Sequence, residues 1–328
     1  MPIDAVQRAL GVTRVARVTG LDRSGVEVAC AVRPGGHVLQ ISNGKGESWE
    51  QARASALSEA AELWAAERPH GLIHGSVSEL ALSGENVLYP NDLVAPRLWS
   101  RETRIAWVRA TSGALVPAQA VYCPPQGRAP LGPAVFRWST NGMGAHPLAR
   151  LALQHAVLEA LERDQLARAL PHGWTREAIS TRKLDASSLP LWQRLREARL
   201  EAHVFDLSAR ELPVAGALLV DLDQGPVPLT AGYACALRPE RAVIGALLEA
   251  AQSRLTEMHG AREDVGHSPE PRGLRQTCER ARPVRRLGDM PSARRLPTLR
   301  RAAVVELASR PLHVVKVIAP ELRLSELL

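Results

Sequence analysis

Apolar and polar positions along the chain alternate between two spacings. Short runs at 12–21, 25–34 and 36–42 are parted by turn residues and predict strands. Three longer stretches repeat Ala and Leu every three to four residues and predict helices. The first covers 49–67, with Ser48 as N-cap, Gln51 as its capping-box partner, and Pro69 and Gly71 beyond its end. The second covers 147–170, with Pro147 in its first turn and Pro171 and Gly173 as the stop. A third covers 239–259 and is followed by Gly260. Residues 174–204 predict a further amphipathic helix with Leu191, Leu195 and Leu200 on its apolar side, and 214–221 and 312–318 predict buried strands. The mixture implies an α+β (mixed α/β) chain forming one domain over 1–328, without low-complexity tracts or a short-period repeat.

With 328 residues, 45% of them hydrophobic, the chain can build a substantial core, which excludes disorder throughout. Asp4, Gln7, Arg8 and Arg14 interrupt the first fifteen residues, so these lack the apolar run of a signal peptide. No later run approaches the roughly 20 apolar residues of a membrane span. A cytoplasmic protein without membrane contact is expected. Cys30, Cys123, Cys235 and Cys278 show no metal-binding spacing and are expected as reduced thiols. The net charge of +7 is local: ten arginines against Glu279 and Asp289 give +8 between 271 and 301, leaving −1 elsewhere. With Pro283, Pro291 and Pro297, this stretch reads as a solvated connecting loop or linker. Contact with an acidic peptide, a partner or RNA is the alternative, but no RNA-recognition signature or metal finger accompanies it.

Carboxylates recur at helical spacing. Glu59 and Glu62 share a helix face with Ser55 one turn earlier, and Glu159 and Glu162 repeat the pair before Arg163 and Asp164 in a run that is otherwise nearly all apolar. Glu249 adds a fifth carboxylate on the third helix, near Gln252 and Arg254. Two ionised glutamates on a buried face repel and lose hydration unless a proton, an arginine or a cation compensates. Converging oxygen ligands of this kind suit Mg2+ on the phosphates of a nucleotide. Spacing alone leaves open a solvated helix face, or an ion pair between Glu159 and Arg163. His155 reads as a hydrogen-bonded core residue, with a place near the cations as the alternative; no Ser-His-Asp or Cys-His arrangement stands out.

Five segments in order resemble the YcaO family of ATP-dependent proteins that modify peptide backbone amides. They are Thr19 to Gly25 with Ala31 to Pro34; Gly44-Lys45-Gly46 with Ser55 to Glu62; Thr140-Asn141-Gly142 through Asp164; Glu249 to Thr256 with Ala261 to Asp264; and Val314 to Pro320. The resemblance implies a YcaO-type fold and an ATP site. It makes Glu59, Glu62, Glu159, Glu162 and Glu249 the Mg2+ ligands, with Ser55, Asn141, Arg163, Gln252 and Arg254 near the nucleotide. Lys45 is not a Walker lysine, because the GxxxxGK(S/T) spacing is missing. The chain departs from the family pattern at Leu63, Pro147, Leu151 and Gly245, where Arg, Asn, Glu and Arg are expected; a degenerate scaffold that binds a partner or leader peptide is therefore a competing reading.

In the chemistry the resemblance implies, a nucleophile adds to the amide carbonyl, the oxygen takes the γ-phosphoryl group of ATP, and phosphate leaves. External sulfide then gives a thioamide, and a substrate Cys, Ser or Thr gives an azoline. The end of the sequence, Arg323 to Leu328, lacks the proline-rich tail of many azoline-forming relatives, which favours thioamide formation with a TfuA-type partner. Family members are commonly homodimers, and the expected partner besides TfuA is a peptide or protein substrate.

Overall fold

The computed structural model describes residues 1–93, 99–175, 177–180, 189–262 and 273–323. Parts of four expectations fall outside them: positions 176 and 181–188 of the helix expected over 174–204, Glu263 and Asp264, the start of the arginine-rich stretch at 271–272, and the tail 324–328.

The chain opens with α1 (Ile3–Ala9), β1 (Arg14–Arg17), β2 (Glu27–Val32), β3 (Ile41–Gly46) and α2 (Trp49–Ala66). Next come β4 (Ile73–Gly75), α3 (Val77–Leu82), β5 (Ile105–Arg109), β6 (Leu115–Pro117) and α4 (Ala118–Val121). The middle holds β7 (Met143–His146), α5 (Ala149–Ala169), β8 (Glu177–Ile179), α6 (Leu189–Glu197), β9 (Leu200–Asp206), β10 (Val214–Asp221), β11 (Leu229–Cys235) and α7 (Pro239–His259). α8 (Leu274–Arg280), β12 (Arg282–Arg285), β13 (Ala303–Ala308) and β14 (His313–Ile318) complete it. The strands form four sheets in the orders β1-β2-β3, β4-β5-β6, β11-β10-β9-β8-β12 and β13-β14-β7. Pairing is antiparallel except between β8 and β12.

The three long helices stand where the apolar pattern places them. Ser48 caps α2 by accepting from the Gln51 N–H at 3.4 Å, whereas the Gln51 side chain bonds Glu47 N and not its capping-box partner. Pro147 lies outside the first turn of α5; the turn before it is held by Leu148 N donating to His146 Nδ1. α7 runs as expected, closed by Gly260 at φ 58°.

Shorter elements differ more. The first expected strand ends at Arg17 and passes into a 3-10 turn over Thr19–Leu21, and the third lies at Ile41–Gly46, not at 36–42. Leu191 and Leu195 are buried on α6, but Leu200 opens β9. The arginine-rich stretch is not a plain loop, because α8 and β12 fall inside it. There Arg285 pairs with Asp206 at 3.1 Å, and Arg301 pairs with Asp92 at 2.6 Å.

No repeat was visible as a short period, yet the structure repeats one unit three times. β3–α2, β7–α5 and β11–α7 are each a strand followed by a long helix packed upon it. The approach is close enough to require glycine. A Cβ on Gly44 would lie 2.1 Å from Ala56 N, one on Gly144 2.3 Å from Ala152 O, and one on Gly232 2.2 Å from Ala250 N. The units also interlock in a cycle, with α2 touching β7, α5 touching β11 and α7 touching β3. Large apolar clusters lie beneath α2 and beneath α7.

Candidate functional site

The repeat places the acidic residues. Glu59, Glu159 and Glu249 are each the eleventh residue of their helix, and the fourteenth positions hold Glu62, Glu162 and Gln252. The side chain at each fourteenth position reaches the backbone of the next unit's strand. The Ala145 N–H supports Glu62, Cys235 N donates to Glu162 at 2.9 Å, and the Gln252 amide donates to Asn43 O at 3.2 Å. Interlocking thus turns acidic positions of three helices toward one space.

Mutual repulsion shows that they share it. Burial first, then the charges of Glu159 and Glu59, raises the Glu62 carboxyl well above the ordinary range. Glu159 is pushed up to about 8 by burial, which with repulsion from Glu162 and Glu249 outweighs Arg163 and Lys316. Burial and Glu249 raise Glu162 to about 6 against Arg163, the Cys235 N–H and Lys45. Burial would raise Glu249 too, but the Lys45 ammonium, Arg163 and the Tyr233 N–H hold it below its ordinary value.

The compensating cations come from strands as well as helices. Lys45 Nζ of β3 lies 2.6 Å from Glu249 Oε2. Arg163 Nε lies 3.8 Å from Glu162 Oε1, the partner in place of Glu159, and Arg262 lies 3.5 Å from Glu59. Lys316 of β14 is buried, donates to Ser139 O, stands 5.0 Å from the Trp138 ring centroid, and is driven down to about 8 chiefly by burial. Sequence reasoning assigned no role to Lys45 or Lys316, since a lone lysine on a strand has no spacing signature.

Among the described residues, no three Asp, Glu, His or Cys side chains are grouped tightly enough to cage a metal ion. Mg2+ commonly takes one or two carboxylates together with waters and substrate phosphates, so it does not require such a cage. Carboxyls raised by desolvation and by one another's charge, as at Glu62 and Glu159, form a donor set that divalent cations would satisfy.

The family model "YcaO cyclodehydratase, ATP- and Mg2+-binding" matches residues 43–300. The chain belongs to the YcaO family. ATP and Mg2+ are the cofactors of that family. An uncharacterised protein of Methanothermobacter thermautotrophicus is 33% identical to this YcaO chain over 269 residues, which are 78% of the chain and 68% of that protein. An uncharacterised protein encoded in the tfuA 3′ region of Rhizobium leguminosarum bv. trifolii is 29% identical; the match takes in 78% of the chain and 65% of that relative. The YcaO fold recurs in a heterocyclase solved with substrate and cofactor, with a TM-score of 0.78 and 19% identity, covering 98% of this chain and 52% of that longer one. It recurs also in YcaO from Methanopyrus kandleri bound with AMPPCP and Mg2+, with a TM-score of 0.72 and 21% identity over 97% of this chain and 87% of that one.

Within this YcaO site, Ser55 is half-buried one turn before Glu59. Asn141 is half-buried beside α5, since a Cβ on the following Gly142 would lie 3.7 Å from Ala160. Arg254 does not join them. Its guanidinium donates to Asp22 at 3.1 Å, to Asp221 at 2.6 Å and to Val227 O, with 2% of the side chain exposed, so every face is engaged away from the carboxylates. His155 is exposed beside His146 and is not the core residue expected. Of the departures, Leu63 is buried, Pro147 is exposed and Leu151 is half-buried. Gly245 has a physical reason: a Cβ there would stand 2.6 Å from Ala234 Cβ, so an arginine would force α7 away from β11. Lys45 supplies the positive charge beside Glu249 instead.

Proposed function

We propose that this YcaO protein binds ATP with Mg2+ and activates a peptide backbone amide, for thioamide formation with a TfuA-type partner. Five glutamates from three helices turn toward one space, and three of them, Glu62, Glu159 and Glu162, are raised by burial and by neighbouring negative charge, which supports the nucleotide site. When bound, ATP supplies the phosphoryl group that makes the amide oxygen a leaving group, and Mg2+ neutralises the triphosphate. Glu59, Glu62, Glu159, Glu162 and Glu249 hold the cations. Arg163, Asn141, Gln252 and Ser55 orient the nucleotide, while Arg254 positions α7 through its buried aspartates. Support for the sulfur branch is the relative encoded beside tfuA.

A second reading is azoline formation, in which a side chain of the substrate is the nucleophile. The fold likeness to a heterocyclase in complex with substrate and cofactor favours it. Mass spectrometry of a candidate peptide co-expressed with this protein separates the two: a gain of about 16 Da marks oxygen-to-sulfur exchange and a loss of about 18 Da marks dehydration. Thioamide formation requires the gain. An unmodified peptide, together with no ATP turnover in the presence of partner and peptide, would leave only a scaffold role.

A further inference from the structure

Lys45 is placed in the carboxylate cluster by its two neighbours. A Cβ on Gly44 would lie 2.1 Å from Ala56 N, and one on Gly46 2.6 Å from Ala52 N, so that face of β3 lies flat on α2 and admits no side chain. Strand alternation sends the residue between them to the opposite face. There its ammonium meets Glu249 Oε2 at 2.6 Å, while Glu249 Oε1 accepts from Tyr233 N at 3.2 Å. Both carboxylate oxygens are therefore engaged, one of them by a positive charge.

An inner-sphere Mg2+ sits about 2.1 Å from its oxygen ligands. On Glu249 Oε2 it would face the Lys45 ammonium across the same atom, and the two cations would repel. The Tyr233 N–H fixes the carboxylate, so the lysine has to move, and its flexible four-carbon stem and 28% exposed side chain allow that. Lys316 has no such freedom, being buried against Ser139 O and the Trp138 ring.

We propose that Lys45 is a tethered counter-cation and positioning residue: it neutralises Glu249 in the nucleotide-free protein, yields Oε2 to Mg2+, and passes to the triphosphate as nucleotide enters. The proposal rests on the ATP reading above. It separates two affinities that a purely structural lysine would move together.

The test is Lys45→Met, with Mn2+ alone titrated by electron paramagnetic resonance and a non-hydrolysable ATP analogue titrated calorimetrically at saturating Mg2+. Free of its competitor, Mn2+ alone binds about fivefold tighter, while the analogue binds about fivefold more weakly. Lys45→Arg keeps the charge and restores analogue binding without tightening Mn2+. Mn2+ affinity that is unchanged or weaker in Lys45→Met, or analogue affinity that does not fall, overturns the proposal. Should Lys45→Met fail to fold, Lys45→Gln is read by the same two titrations. If the wild-type protein binds neither Mn2+ nor the analogue, the ATP reading itself fails, an outcome distinct from a wild type that binds both and a variant that matches it.

Discussion

Arg254 follows Gln252 by two residues, and a helix turns through about 200° over that distance, so the two side chains face different spaces. Gln252 meets β3, and Arg254 meets Asp22 and Asp221, whose side chains are 1% and 0% exposed. Arg254→Met leaves Asp22 without its cation, while Asp221 keeps Arg23 at 2.5 Å. Chemical denaturation should show a loss of about 3–5 kcal/mol, and nucleotide affinity under folding conditions should change little. A stable variant with weakened nucleotide binding would return Arg254 to the site.

The titration of Glu159 and Glu162 gives a second expectation at this scale. Their folded values, about 8 and about 6, exceed the ordinary 4.5, so the folded protein without cations retains protons that the unfolded chain has released. By linkage, their contribution to stability is then greatest at low pH within this window and falls as pH rises from about 4.5 to about 8. Lys316, held down near 8, and His146, His155, His203 and His259, each lowered chiefly by desolvation, act in the opposite direction. From pH 5.5 to 8 the urea midpoint of the cation-free wild type should fall relative to that of Glu159→Gln. Parallel profiles for the two proteins would contradict the buried cluster.

Among elements, the long helices were legible because Ala, Leu and terminal stops act locally. Ser48 and Gly260 behave as sequence rules require. β3 was misplaced because Gly44-Lys45-Gly46 has the composition of a turn, whereas its glycines are dictated by a helix lying on the strand, a contact no local pattern encodes. Leu200 was assigned to a helix for the same reason: its apolar spacing fits α6, and strand pairing with Asp221 decides otherwise. The close strand–helix approach carries a direct test. Gly144→Ala puts a methyl group 2.3 Å from Ala152 O, and should cost about 1–3 kcal/mol in a denaturant titration. A neutral result would mean that α5 and β7 can part without loss.

For the molecule as a whole, the order of the motifs pointed to the family, and several of the acidic residues matched by resemblance lie near enough to raise one another's carboxyls. The threefold recurrence of strand and helix was hidden, because Glu59, Glu159 and Glu249 align only once each helix start is known. The arginine-rich stretch invited a nucleic-acid reading that its ion pairs with Asp206 and Asp92 weaken. Among the described residues no helix is long and apolar enough to cross a membrane. On the proposed reading, the three units joined in a cycle make a site to which every long helix contributes, so losing a carboxylate from any one of them should impair the same ligand.

Calorimetric titration of a non-hydrolysable ATP analogue, with Mg2+ and with chelator, into wild type, Glu62→Gln, Glu159→Gln and Glu249→Gln tests this most directly. The account predicts Mg2+-dependent binding that each substitution weakens by about tenfold or more. Wild-type binding indifferent to Mg2+, or unchanged affinity in all three variants, would contradict it.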